Sequence, residues 1–345
     1  MFFSSSGRSY LGIDIGSVSI KVVELKDVNK VPELLTYGLA ELPLDKSPGD
    51  SETSMADIAA TITETCKKAQ TKSKLAFAAL PTYAVFTSII SLPKMSKNDL
   101  KSAIHFEAKK VMPLPVEEMI LDPQVLDEAG PNGSMRVLLT GAPKTIVDRY
   151  LKIFQKTGLM LLGLETEGFA LIRSLVGRDR APTMIIDMGA STTDILVIDN
   201  NIPFLNRSID MGGLNVTKSI SRSLDISLPR AEQFKFDIGL SALESSNSEI
   251  PRTIEEAITP ILNEIKYTIT IFQGQSKKTI EKIILSGGSS LLANFAGYLS
   301  QKLNIRVYVG DPWARVRYPV ELKGMLQESA SRFAIAVGLA MRDIK

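Results

Sequence analysis

The sequence predicts an α/β protein of two related lobes, because two of its stretches are copies of one another. Leu11-Gly-Ile-Asp-Ile-Gly-Ser-Val-Ser-Ile-Lys-Val-Val-Glu-Leu25 can be laid over Met184-Ile-Ile-Asp-Met-Gly-Ala-Ser-Thr-Thr-Asp-Ile-Leu-Val-Ile198, which places Asp14 on Asp187 and Gly16 on Gly189. Each copy reads as an apolar strand, a hydroxyl-rich Asp-x-Gly turn and a second apolar strand. A third signature, Ile283-Ile-Leu-Ser-Gly-Gly-Ser-Ser-Leu-Leu292, reads as a buried strand running through a Gly-Gly turn into a helix. The length, 345 residues, suits roughly two domains with a substantial core.

The duplicated turns carry the chemistry. Glycine permits close backbone approach, so the amides of Gly16, Ser17, Gly189 and Ala190 can point at phosphate oxygens. Asp14 and Asp187 stand at strand ends, where they can anchor a hydrated Mg²⁺, an ion that keeps several waters and takes one or two carboxylates. Lys21 follows on the same face as Ser17 and Ser19 and can reach the outer phosphates. One copy alone is equally well read as an ordinary hairpin with a capping Asp. Two copies in register favour two hairpins facing each other around one polyphosphate.

Along the chain, strands begin near Tyr10, with a third near Leu34 to Leu42, followed by a polar loop at 45–54 and a helix from Met55 to Ala69. Ile58, Ala59, Ile62 and Cys66 fall at helical spacing, so Cys66 reads as a packing residue. From about Lys74 to Pro143 lies a segment that the repeat does not explain. It carries strands at Leu75 to Leu80 and Val85 to Leu92, and a helix whose start is marked by Ser96 with Asp99 three residues on. That helix ends at Pro113-Leu-Pro115, and strands near Met119 to Leu126 and Met135 to Thr140 follow around a Gly-Pro-Asn-Gly turn. In the second half, strands at Met184 to Met188, Thr192 to Ile198 and Pro203 to Ile209 lead to Gly212-Gly213 and a helix near Asn215. Helices from about Pro229 to Phe236 and Ile254 to Phe272 come next, joined by a polar run from Ser241 to Glu249. After the Gly-Gly turn come a strand at Arg306 to Val309, the Asp311-Pro-Trp313 turn and a closing helix from about Ser329 to Met341, apolar on nearly every face and therefore expected to be buried.

Composition narrows the function. Forty Lys plus Arg against 38 Asp plus Glu leave a formal charge of +2, which makes no global electrostatic case for nucleic acid or an anionic membrane. One cysteine excludes an internal disulfide and suits a reducing compartment. The start lacks an apolar core of signal-peptide length, and no run approaches the ~20 apolar residues needed to span a bilayer. A cytoplasmic protein is expected. His105, the single histidine, has no Cys or second His nearby and reads as a surface or packing residue.

Two motifs need weighing. Gly212-Gly-Leu-Asn-Val-Thr-Lys-Ser219 resembles a Walker A loop, but β-branched Thr217 stands where the second glycine belongs, so it is not one. The glycines are better read as letting backbone approach a nucleotide, with the following helix N-terminus adding its dipole. Glu232 and Lys235 share a helical face, where an ordinary i,i+3 ion pair is the plain alternative to ligand contact.

These residues, in this order, resemble the actin-like ATPase superfamily and, within it, the family of type IV pilus assembly protein PilM. The resemblance covers nearly the whole chain, including Leu114-Pro-Val-Glu-Glu-Met-Ile-Leu-Asp122, Asp210-Met-Gly-Gly-Leu-Asn-Val-Thr217 and the run from Ala231 to Lys235. It implies an actin-like two-lobed fold with an FtsA-like αβ insertion in the first lobe. The implied lobes are 9–183, carrying the insertion at 74–143 and completed by a C-terminal helix at 328–345, and 184–327, with an insertion at about 214–280. It implies ATP and Mg²⁺ as ligands. The first phosphate loop would be Asp14, Gly16, Ser17 and Lys21, the second Asp187, Gly189, Ser191 and Thr192. Gly212 and Gly213 would approach the nucleotide near its ribose and phosphates, Glu232 and Lys235 would contact ribose and adenine, and Gly287, Gly288 and Ser289 would form the adenosine turn.

In the superfamily the residue that orients the attacking water lies on the helix before the second phosphate loop, which makes Glu165 the first candidate and Glu167 the second, the plain alternative being that both are helix N-terminal acids stabilised by the dipole. No unambiguous water-orienting group accompanies the loops, so an ATP-binding scaffold with at most slow hydrolysis is expected. The resemblance also implies a partner, the cytoplasmic N-terminal tail of a PilN-like inner-membrane protein received by the insertion. Other pilus assembly proteins would join it, and membrane association would be peripheral. Two alternatives are a membrane-tethered filament protein like FtsA and a small-molecule kinase. The first expects a C-terminal basic amphipathic helix, whereas this sequence ends at Met341-Arg-Asp-Ile-Lys345 after its apolar helix. The second expects substrate-binding groups that no segment supplies.

Overall fold

A computed structural model describes residues 7–42, 51–127, 134–241 and 249–344. The turn expected at 130–133 and most of the polar loops expected at 45–54 and 241–249 lie outside these residues. Two five-stranded sheets of the same plan organise the chain. The first has order β3-β2-β1-β4-β8 and the second β11-β10-β9-β12-β13. In the first, β1 (Ser9–Ile15), β2 (Ser19–Val28) and β3 (Val31–Glu41) form an antiparallel meander, to which β4 (Leu75–Leu80) and β8 (Met160–Thr166) add in parallel. In the second, β9 (Thr183–Met188), β10 (Thr193–Asp199) and β11 (Ile202–Ile209) form the meander, and β12 (Lys282–Ser286) and β13 (Arg306–Val309) add in parallel. The sequence repeat is thus a repeat of whole sheets. In both, the first strand of the meander is central and buried on both faces, which explains its largely apolar sequence apart from Asp14 and Asp187.

Helices cover each sheet. Helix α1 (Glu52–Lys68), capped by the Ser51 hydroxyl accepting from the Ser54 amide at 3.0 Å, packs with α3 (Lys144–Thr157) on one face of the first sheet. Ile58, Ala59, Ile62 and Cys66 are buried there, in the packing role their spacing predicts. The other face is covered by the C-terminal α10 (Ala334–Ala340), every residue of which is buried. Gly12 makes that contact possible, since a Cβ on it would lie 1.9 Å from the Ala336 carbonyl oxygen. Trp313, Tyr37 and Phe333 pack beside it with ring centroids 5.4 to 6.0 Å apart. Helices α5 (Gly213–Leu224), α7 (Glu249–Ser276) and α8 (Phe295–Leu303) cover the second sheet. Between α5 and α7 lies α6 (Leu228–Asp237), and α9 (Lys323–Ser329) precedes α10.

The segment outside the repeat begins later than residue 74. Strand β4 belongs to the first sheet, parallel to β1 through Leu11↔Ala76, so the separate unit starts at β5 (Phe86–Pro93). With β6 (Met119–Asp127), β7 (Ser134–Pro143) and α2 (Lys97–Val111) it forms a three-stranded sheet of order β5-β7-β6 with its own core. Ser96 caps α2 as its sequence predicts, accepting from the Asp99 amide at 3.3 Å and donating to Asp99 Oδ2 at 2.7 Å. His105 is exposed on this helix. The parallel partnership of β4 joins residues far apart in sequence, which leaves no local trace in its alternation.

Candidate functional site

The two hairpin turns are built alike and meet. Gly16 N–H donates to the Ser19 carbonyl at 3.0 Å, and Gly189 N–H donates to the Thr192 carbonyl at 2.9 Å. Across the space between the sheets, the Ser191 hydroxyl donates to Ser17 Oγ at 3.1 Å. Pairing then positions the charges. Asp14 lies opposite Lys21, and Lys21 Nζ is 3.1 Å from Asp14 Oδ2. In the second hairpin Asp187 lies opposite Asp194, so an acid occupies the position that mirrors Lys21.

Carboxylates consequently outnumber cations. Burial, opposed in part by Ser286 and reinforced by Asp14, pushes Asp187 up to about 6. Burial, opposed in part by Ser208 and reinforced by Asp187, also raises Asp194, whose Oδ1 is buried without a hydrogen-bond partner. Glu167, the first residue of α4 (Glu167–Leu171), is raised well above the ordinary range by burial and by the fields of Asp194, Asp14 and Asp187. Four acids thus lie within one another's fields, while Lys21 pairs with Asp14 and acts on Asp187. Among the described residues no three His, Cys, Asp or Glu side chains are grouped so as to hold a metal by themselves. The donor set suits a cation that keeps its water and takes few carboxylates.

Sequence reasoning missed Asp194, although the overlay of the two hairpins sets it on Lys21. The expected helix at Glu165 is not there. Glu165 is the penultimate residue of strand β8, and its carboxylate takes both Arg173 nitrogens at 2.7 and 2.9 Å, with Arg342 Nε at 3.6 Å. Glu167 is the acid that joins the cluster.

The remaining predicted residues gather at the second hairpin. Gly213 N–H donates to the Gly189 carbonyl at 3.0 Å, Leu214 N–H to Ala190 at 2.9 Å, and the Ser289 hydroxyl to the Gly189 carbonyl at 3.0 Å. A Cβ on Gly213 would lie 2.1 Å from Ser289 Oγ, and one on Gly212 would lie 2.6 Å from the Ala190 carbonyl oxygen. These glycines therefore serve protein-to-protein contact, bringing the start of α5 onto the turn. Thr217 is buried within α5, its one O–H shared between the Gly213 carbonyl and Glu232 Oε2, which is incompatible with a Walker A loop. Lys235 Nζ donates to both Glu232 oxygens at 2.8 Å and to Thr217 Oγ1 at 3.0 Å, so the i,i+3 ion pair is present and buried at the lysine end. Burial pushes Lys235 down, and Glu232 offsets that. Gly287 has φ +82°, a conformation suited to glycine. Gly288 borders a cavity of about 520 Å³ lined also by Phe236, Leu291, Arg332, Tyr37 and Phe333.

Two sheets of one plan with their hairpin turns facing define an actin-like, two-lobed α/β protein. The sequence model of the family described as type IV pilus assembly protein PilM matches residues 12–344, and the chain belongs to that family. A solved structure described as a PilM-PilN type IV pilus biogenesis complex is 26% identical, covers 97% of this chain and 98% of that chain, and superposes with TM-score 0.85. The cell division protein FtsA of Streptococcus pneumoniae serotype 2 is 24% identical over 88% of this chain and 75% of its own length. MreB 5 of Spiroplasma citri, solved bound to AMPPNP, shares the fold at 13% identity and TM-score 0.55, over 96% of this chain and 94% of its own. This is an actin-like pilus assembly protein. No helix among the described residues is long and apolar enough to cross a membrane.

Proposed function

We propose that the chain binds Mg-ATP between its two hairpins and uses it to set the angle between its lobes, acting as a nucleotide-controlled scaffold of the pilus machine. One observation carries this reading: four buried or half-buried acids act on one another where two duplicated turns touch, with Lys21 paired to Asp14. So many carboxylates are stable together only if some stay protonated or a cation joins them. Asp14 and Asp187 would hold Mg²⁺ through its waters, and the unpartnered Oδ1 of Asp194 offers a further acceptor to that shell. The ion would neutralise charge on the terminal phosphates. Lys21 would reach those phosphates, and the amides and hydroxyls of Gly16, Ser17, Gly189, Ser191 and Thr192 would line the polyphosphate. Ribose and base would lie toward Glu232, Lys235 and the Gly287-Gly288-Ser289 turn, beside the cavity at Phe236 and Arg332. Glu167, rather than Glu165, would take the water-orienting role, because Glu165 is engaged by Arg173.

The insertion would receive the cytoplasmic N-terminal tail of a PilN-like inner-membrane protein, and so draw a cytoplasmic protein to the membrane with other assembly proteins. Support comes from the relative solved in complex with PilN and from the apolar side chains the insertion exposes, Phe106, Val111, Leu114, Ile120 and Val125. Strands β5 and β6 are edges, able to pair with an extended peptide. Isothermal calorimetry with ATP, with and without Mg²⁺, tests the nucleotide reading. Micromolar or tighter binding that needs Mg²⁺ supports it, and absence of binding to folded protein rejects it.

A further inference from the structure

The insertion and the cleft meet at one residue. Strand β4 ends at Leu80, Pro81 follows, and a 3-10 turn, Thr82–Ala84, leads through Val85 into β5, the first strand of the insertion. Within that turn both the backbone N–H and the hydroxyl of Thr82 donate to one oxygen, Glu167 Oε2, each at 2.7 Å. Thr82 is 6% exposed, so water does not compete effectively for these bonds. The turn closes by its own backbone, with Ala84 N–H to Pro81 at 2.9 Å and Val85 N–H to Thr82 at 3.2 Å. The hydroxyl is therefore not needed to form the turn. It is directed at the cleft.

Glu167 is equally well placed to pass a movement on. It opens α4, on the segment by which the chain leaves the first sheet for the second, and its carboxylate feels Asp194, Asp14 and Asp187. On the other side, β11 of the second sheet packs against the Thr82–Ala84 turn and against β5. The root of the insertion thus touches the second lobe and the cleft acid at once.

We propose that Thr82 is a positioning residue that couples the insertion to the nucleotide cleft by holding Glu167. The proposal rests on the reading of the cleft as a Mg-ATP site. A carboxylate oxygen that accepts two donors from one buried turn cannot shift unless the turn shifts or a bond is lost. Repositioning of Glu167 as nucleotide and cation settle is then felt at β5, and a ligand on the insertion acts back on the cleft with the same coupling free energy.

Hydrogen-exchange mass spectrometry on the full chain tests this, with and without Mg-ATP at concentrations that calorimetry shows to saturate each variant. Thr82→Val removes the hydroxyl and keeps the backbone donor, Thr82→Ala is a second hydroxyl-free variant in case the first misfolds, and Thr82→Ser restores the donor. In wild type and Thr82→Ser, Mg-ATP should change exchange in β5 and β7 by about fivefold or more. In Thr82→Val or Thr82→Ala, which keep only the backbone donor, that response should fall to roughly half or less while exchange without nucleotide stays as in wild type, a pattern that a purely structural role would not produce. A full response in the hydroxyl-free variants overturns the coupling, as does a wild type that binds Mg-ATP with β5 and β7 unmoved. Wild type that does not bind Mg-ATP rejects the nucleotide reading and this inference together, and calorimetry alone distinguishes that result.

Discussion

Lys21 Nζ lies 3.1 Å from Asp14 Oδ2 across the first hairpin, while at the matching position of the second hairpin Asp194 faces Asp187. The two hairpins share a backbone plan but carry opposite charges at this position. The first turn can neutralise itself and the second cannot, and this asymmetry leads to the expectations below.

Asp14→Ala or Asp187→Ala should each remove an anchor for hydrated Mg²⁺. Affinity for Mg-ATP should fall by roughly tenfold or more, in line with about 1.4 kcal/mol per decade, and the double variant should show no Mg²⁺ dependence. Calorimetry on folded protein checks this. Unchanged binding in the double variant would remove the metal reading.

Stability without nucleotide should fall as pH rises through about 6. Asp187 is raised to about 6 from an ordinary 3.8, so between these values the folded chain holds more protons than the unfolded one, and stability present at lower pH is lost on the way up. Asp187→Asn should therefore stabilise the nucleotide-free protein at pH 8 by about 1–3 kcal/mol. Denaturant melts from about pH 4 to 8 measure it. A variant that follows the wild-type pH curve contradicts the crowded-carboxylate account.

Turnover should be slow, far below the ~1–100 s⁻¹ of kinases. Glu167→Gln should lower whatever phosphate release is measured. Glu165→Gln should instead cost about 1–3 kcal/mol of stability, by leaving Arg173 short of its partner, with little effect on Mg-ATP affinity. A phosphate-release assay in which Glu165→Gln is the inactive variant would reverse the assignment.

A synthetic N-terminal tail of a PilN-like protein should bind the intact chain. Ile120→Asp with Val125→Asp on edge strand β6 should weaken it at least about tenfold without altering the melting temperature, because both side chains are exposed. Fluorescence anisotropy of the labelled peptide reads this directly. Full affinity in the double variant would move the docking site elsewhere.

The sequence by itself determined whatever rests on neighbours along the chain. The two Asp-x-Gly hairpins and the Ser96 cap of α2 are local patterns present in the structure at the positions read, whereas the buried closing helix is shorter than expected, Ala334–Ala340 rather than Ser329 to Met341, with a 3-10 turn at Ala330–Phe333 before it. The actin-like architecture followed from the hairpins' repetition. Only the tertiary structure decided what depends on pairing across distance. It set β4 in the first sheet and so shortened the insertion, tied Glu165 to Arg173, and brought Glu167 from α4 to the acids of β1, β9 and β10. Parallel strand pairing and the meeting of two lobes join residues with no common period in the sequence, so nothing local marks them. For Asp194 the clue lay in the overlay itself, but its weight became visible only once burial showed an acid left without a cation.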